Sequence, residues 1–331
     1  MKIAIVKLSA MGDIIHAMAA LQYLKKAHPD LQIDWVVENA FAPILEDNPH
    51  IDHILPVHLK RLKKEKQGLL EEIRHIRAFA SHGYDLVIDA QGLTKSALTA
   101  LLLGKRRAGF SWGSVREGVA SLFYTQKVSI AYDANTIDRN MRVLGEPLEV
   151  KITKEMILNK ESFLYYRSSP QIEAYLSSQK KNVVFVIGST WESRNYPKEK
   201  FAQIADALQE NVLITWGNEE ERQRAEWIAS HSNHATLLPK LDLNALKALI
   251  GTSDLTIGND TGPTHMAWGL NRPSITIFGP TPVSRVYQTP INRVVKSHSE
   301  VDPYRLNRED YSIREIAPEQ IVTLAKELLD A

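Results

Sequence analysis

TIGNDTGPTHMAWGL, residues 256–270, opens on the tail of the apolar run SDLTIG and decides how the chain is read. Its first residues suit a buried strand. Its middle, Asn-Asp-Thr-Gly, is turn chemistry, and Pro263 is a favoured first helical residue. A strand therefore gives way to a helix here, and two readings of the junction stay open. In one it is only a well-made turn. In the other, bare amides at a helix start, beside a hydroxyl and an imidazole, form an anion site, with Asp260, Thr261, Gly262 and His265 as its residues.

The same alternation extends in both directions. KIAIVKL (2–8), QIDWVVE (32–38), HILPV (53–57) and DLVIDA (85–90) read as strands. Residues 14–27 and 69–79 carry apolar side chains at helical spacing. The pattern restarts with NVVFVIG (182–188), NVLITWG (211–217), ATLLP (235–239), DLTIG (254–258) and SITIFG (274–279). Strands alternating with helices predict a parallel sheet covered on both faces. The polar stretch 150–180, with Ser168-Ser169-Pro170, reads as a seam. The expected fold is thus α/β: two doubly wound Rossmann-like domains, residues 1–165 and 166–315, facing a central cleft.

Composition bounds the function. The chain has 331 residues, beyond what one core usually serves. Its net charge of +1 and lack of an interleaved aromatic–basic face argue against nucleic acid. With no cysteine it has no disulfide, thiolate metal site or cysteine nucleophile, which fits a reducing compartment. Lys7 and Asp13 interrupt the apolar N-terminus before a signal-peptide core develops, and no window has the roughly 18 unbroken apolar residues of a membrane span. The expectation is a cytoplasmic protein whose membrane contact is peripheral.

In open α/β sheets, ligands bind beyond the carboxyl ends of the strands, so the loops there carry the candidates. In KLSAMGDIIH (7–16), Ser9, Ala10 and Gly12 make a small-residue turn before Asp13. No G-x-G-x-x-G is present, which argues against a dinucleotide enzyme. Asp13 is either a helix cap or a general base. In GSTWESRNYP (188–197), Ser189 and Thr190 offer hydroxyls and Arg194 a guanidinium suited to phosphate, unless the loop is only a solvated turn. In WGNEEERQR (216–224), one of Glu219, Glu220 and Glu221 is placed to grip ribose, although acids in a first helical turn are stabilising in themselves. HLKRLKKEK (58–66) is a basic run: a solvated face, or a surface for an acidic sugar or an anionic membrane. No cluster has metal-ligand spacing, and no metal is expected.

VKLSAMGDIIHAMAAL, WVVE, DAQGLTKSA, REGVASLFY, STWESRNYP, WGNEEER and NDTGPTHMA, taken in this order, resemble the ADP-heptose:lipopolysaccharide heptosyltransferases. Within that family the chain is most similar to members that add the first heptose to Kdo on lipid A. The resemblance implies a GT-B fold, with the acceptor on the first domain, the nucleotide-sugar on the second, and the terminal helix (316–331) packed back onto the first. It implies inverting, metal-independent transfer from ADP-heptose to Kdo-lipid A at the inner face of the inner membrane of a Gram-negative cell, with no cofactor. By position, Asp13 matches the base. Ser189, Thr190, Arg194, Glu219, Asp260, Thr261, Gly262 and His265 match the donor pocket. Ser9, Gly12, Lys60, Arg61, Lys63, Lys64 and Arg116 match the acceptor side. Arg194 stands where relatives carry Lys. The alternatives are an epimerase or hydrolase of sugar nucleotides on the same fold, or a non-catalytic nucleotide-sugar-binding module.

Overall fold

The computed structural model describes residues 1–62 and 68–331, with the side chain of Leu62 outside that description. Twelve strands are described: β1 (Lys2–Val6), β2 (Gln32–Glu38), β3 (His53–Val57), β4 (Leu86–Asp89), β5 (Arg107–Phe110), β6 (Gln126–Val128), β7 (Asn182–Val186), β8 (Asn211–Thr215), β9 (Ala235–Leu237), β10 (Leu255–Asn259), β11 (Ser274–Phe278) and β12 (Asn292–Lys296). They form two six-stranded sheets, ordered β3-β2-β1-β4-β5-β6 and β12-β11-β10-β7-β8-β9. Every described pairing is parallel. The fold class is as expected, two Rossmann-like α/β units.

Each sheet repeats one topology, in which the order reverses between the first and fourth strands of its unit: β1 and β4, then β7 and β10. Such a switch point splays the loops on either side and opens a crevice at the strand ends. The central strands are continuous apolar runs because helices cover both faces. Ile3, Ile5 and Val6 of β1 have no exposed surface, and Ile5 pairs with Trp35 on one side and Ile88 on the other. Gly258 in β10 is required by a close approach. A Cβ there would come within 2.6 Å of Val186 Cβ and 2.7 Å of Val186 O, with the Thr264 hydroxyl on its third side.

The first compact unit runs from Met1 to Phe163 and the second from Leu164 to Ala331. The break falls inside the polar seam. The terminal helix Pro318–Leu329 corrects an expectation. It belongs to the second unit: Ile321, Ala325 and Leu329 are buried in that unit's core, with Phe201, Ala205, Ile257 and Ile277. Its apolar stripe fits a groove closed by the helix Lys198–Leu208, and Lys200 Nζ donates to the carbonyl of Ile316 at 2.8 Å, just ahead of the helix start. Three strands were not read from the sequence: β5, β6 and β12.

Candidate functional site

In the second unit the loops after β7 and β10 meet at the switch point around one carboxylate. Asp260 follows β10 and is 2% exposed. Its Oδ2 accepts from Arg194 Nη2 at 2.9 Å and from Thr281 Oγ1 at 2.8 Å, and Arg285 Nη1 lies 4.0 Å away. Oδ1 is 3.0 Å from His265 Nε2. Burial alone would raise the Asp260 pKa. The His265 hydrogen bond and the charges of Arg194 and Arg285 overcome this and hold it well below the usual carboxylate range. Two guanidiniums against one carboxylate leave the loop ends with excess positive charge.

Neighbouring backbone fixes this geometry. Asn259 Oδ1 accepts from the Tyr196 amide at 3.1 Å and its Nδ2 donates to Ile187 O at 2.7 Å, tying the β10 loop to the β7 loop. Thr264 Oγ1 donates to Asn259 O at 2.8 Å, seating the helix Gly262–Gly269 on the strand end. Thr261 is the N-cap residue, yet its side chain makes no capping hydrogen bond. The β7 loop holds three buried polar atoms with no hydrogen-bond partner among the described residues: Ser189 Oγ, Ser193 Oγ and Asn195 Oδ1. Buried polar groups are nearly always partnered, so a loop with three orphans is shaped for something beyond the fold. Thr190 is exposed on the same loop.

The acidic loop after β8 separates its three glutamates. Glu219 is on the outer face, its carboxylate paired with Arg222 at 2.7 Å. Glu220 pairs with Arg224 at 2.8 Å. Glu221 folds back onto the strand ends: Oε2 accepts from the Gly217 amide at 2.7 Å and Oε1 from Asn218 Nδ2 at 2.9 Å, against Gly188, two residues past β7. Helical spacing is the cause. Asn218 is the N-cap, so the third helical residue reaches back and the first cannot.

In the first unit Asp13 is the third residue of the helix Met11–Met18, rather than its N-cap, and is half-buried. Its Oδ2 accepts from the Ala10 amide at 3.3 Å. The turn holding Ser9 and Gly12 is pinned by Gln91, whose Oε1 accepts from the amides of Leu8 and Ser9 at 3.1 and 3.0 Å. Lys7, directly after β1, is 6% exposed and donates through Nζ to Ala90 O at 2.8 Å. Burial lowers its pKa, and the charges of Asp13 and Asp89 oppose that. Asp89 is fully buried and accepts from Tyr124, Ser96 and the amides of Gln91 and Gly92; burial still pushes its pKa up.

Among the acceptor candidates, the Lys60 amide donates to Glu38 Oε1 at 2.6 Å and its Nζ lies 4.3 Å over the Phe41 ring. Arg61 is exposed, and Arg116 is exposed beyond β5. Lys63 and Lys64 lie outside the described residues. Sequence reasoning missed Arg285, Thr281, Asn259, Lys7, Gln91 and Glu38. Of these, only Asn259 and Gln91 stand directly past a predicted switch-point strand.

Asp34, His53 and His82 offer ligand atoms within 4.8 Å of one another, the one such group among the described residues. Asp34 and His53 sit near the opposite, amino-terminal ends of β2 and β3, and His82 precedes β4. Asp34 is already held by both imidazoles, the Tyr84 hydroxyl at 2.8 Å and Lys2 at 3.5 Å. No described helix is long and apolar enough to cross a membrane.

Comparison with known proteins agrees with this arrangement. The family model described as glycosyltransferase family 9 (heptosyltransferase) matches residues 73–307. Lipopolysaccharide heptosyltransferase 1 of Campylobacter coli is 34% identical, over 99% of both chains. The protein of that name from Escherichia coli K12 is 30% identical, over 85% of this chain and 88% of its own. The solved structure of E. coli heptosyltransferase WaaC with ADP-2-deoxy-2-fluoro heptose superposes with a TM-score of 0.80 at 25% identity, covering 99% of each chain.

Proposed function

Since the chain belongs to glycosyltransferase family 9, the heptosyltransferases, we propose that it transfers heptose from ADP-heptose to the Kdo sugar of Kdo-lipid A in building the lipopolysaccharide core. The observation that carries this reading is the pair of switch-point sites, a cation-rich cradle in one unit and a tethered carboxylate in the other. Relatives named as lipopolysaccharide heptosyltransferases support the transfer itself.

The donor leaves as ADP, and negative charge grows on the bridging oxygen as the bond to the anomeric carbon breaks. Preorganised positive charge lowers that barrier. Arg194 and Arg285 supply it, and the hydroxyls of Ser189, Thr190 and Thr261 with the first-turn amides at Gly262 complete the cradle. Asp260 and His265 act as positioning residues, because Asp260 is buried and its oxygens hold Arg194, Thr281 and His265, whereas Glu221 keeps exposed surface. Glu221, rather than Glu219, takes the ribose hydroxyls. The acceptor hydroxyl attacks the anomeric carbon from the face opposite ADP, its proton passes to the Asp13 carboxylate, and configuration inverts. Ser9, Gly12, Lys60, Arg61, Lys63, Lys64 and Arg116 hold the anionic acceptor. With the leaving group's charge met by side chains, the reaction runs without a metal. The enzyme works in the cytoplasm against the inner face of the inner membrane, where its lipid-linked acceptor lies.

The test is incubation with ADP-heptose and Kdo-lipid A followed by mass spectrometry. A heptosylated lipid appearing only with acceptor present is the expected product. Rapid consumption of ADP-heptose without acceptor would instead indicate an epimerase or hydrolase, and no turnover a binding module.

A further inference from the structure

Beyond β4 the first unit shows a face that its fold does not explain. The helix Thr94–Leu103 presents Leu98 and Leu101 to solvent, 44% and 43% exposed. Against it packs the 3₁₀ helix Gly118–Phe123, through a small core of Ala97, Ala120 and Tyr124. That helix exposes Val119 and Leu122, 49% and 67%. Residues three apart eclipse on a 3₁₀ helix and share a face on an α-helix, so each pair forms one ridge. Trp112 is 58% exposed, its indole resting on Gly118, where a Cβ would come within 2.8 Å of the ring. Five large apolar side chains exposed on three packed elements exceed the scattered exposure normal for a soluble surface.

The charge around them is one-sided. Residues 94–127 contain six basic residues and a single acidic one, Glu117, in a chain whose overall net charge is +1. Lys105, Arg106 and Arg116 are exposed, whereas Glu117 is engaged with Thr94, accepting from its amide and hydroxyl at 2.8 Å each. Two copies meeting through this face would oppose like charges. An anionic bilayer matches it: leucines and an indole enter the headgroup boundary while lysines and arginines bind the lipid charge. We propose that this face, built from residues 94–103 and 112–123, is where the enzyme docks on a membrane of anionic phospholipid. The inference rests on the membrane contact in the proposed function and specifies its surface. Arg116, between Trp112 and Val119 in sequence, then stands where a lipid-anchored sugar meets protein.

The experiment is cosedimentation of the full chain with vesicles of phosphatidylglycerol and phosphatidylcholine, or of phosphatidylcholine alone. The wild type is expected to bind only the anionic vesicles. The double variant Trp112→Ser/Leu122→Ser is expected to bind them at least ten-fold more weakly while keeping its melting temperature and its transfer rate on a soluble, delipidated acceptor. Lys105→Glu/Arg106→Glu, which leaves the apolar residues in place, should weaken binding similarly. Brominated lipid should quench wild-type tryptophan fluorescence more than that of Trp112→Phe. Anionic-vesicle binding that survives both double variants would overturn this surface and leave peripheral contact standing. No wild-type binding would remove both. A wild-type dimer abolished by Trp112→Ser/Leu122→Ser would make a second copy the occupant and overturn the proposal.

Discussion

Gly188→Ala separates the glutamates of the acidic loop without touching any of them. Gly188, two residues past β7, lies outside the left-handed region, so alanine is compatible with its backbone. A methyl there would lie 2.7 Å from Glu221 Cγ and closer still to its carboxylate, inside any real contact. The flexible side chain must give way. Glu221 then loses the Gly217 and Asn218 hydrogen bonds, about 1–3 kcal/mol of stability, softened because the displaced carboxylate reaches water. If that carboxylate grips ribose, donor binding loses a charge-assisted interaction of about 1.5–3 kcal/mol, a roughly 10- to 100-fold rise in the dissociation constant for ADP. Calorimetric titration with ADP measures it directly. Glu221→Ala should match Gly188→Ala, Glu219→Ala should bind like wild type, and Gly188→Ala/Glu221→Ala should cost little more than either single change. Wild-type ADP affinity in Gly188→Ala would refute the reasoning.

Further outcomes follow from the same geometry. Asp13→Asn should keep ADP binding and lose about 10²- to 10⁴-fold in turnover with both substrates saturating; undiminished turnover would remove Asp13 as the base. Asp260→Asn should destabilise by about 3–5 kcal/mol, because Arg194 keeps its burial and loses its counter-charge. The Asp260 pKa is depressed on folding, so its contribution is present above pH 4 or so and is lost on acidification; urea melts should show a shallower acid limb in the variant. Burial lowers the Lys160 pKa to about 7, so the unfolded chain binds more protons between there and its ordinary value near 10.5, and stability rises with pH across that window. Lys160→Met should flatten that rise and gain about 4 kcal/mol at pH 7, read as a higher melting temperature.

Central strands were legible because a strand buried on both faces is a continuous apolar run, as in IAIV of β1 or NVVFV of β7. Three other strands were not. RAGF, QKV and NRVVK are short and carry charge or glycine, and each forms by pairing with a neighbour already in the sheet, QKV and NRVVK at its edges. Strand-end loops were likewise legible as places: Asp13, Arg194, Asp260 and His265 stand at the ends of β1, β7 and β10, where the alternation puts ligands.

Partnership was another matter. Arg285 and Thr281 reach Asp260 from 25 and 21 positions away, and nothing near them in the chain announces it. The terminal helix showed its apolar stripe in APEQIVTLAKELL, but which core would take it depended on an open groove beside residues 198–208. Periodicity and turn chemistry are local, fixed by neighbours a few residues apart, so sequence alone determined the two α/β units and the loops in which to look. Hydrogen bonds, ion pairs and burial act over a few ångströms regardless of chain separation. For that reason only the tertiary structure decided that Asp260 holds Arg194, that Glu221 rather than Glu219 lies at the strand ends, and that the last helix belongs to the second unit.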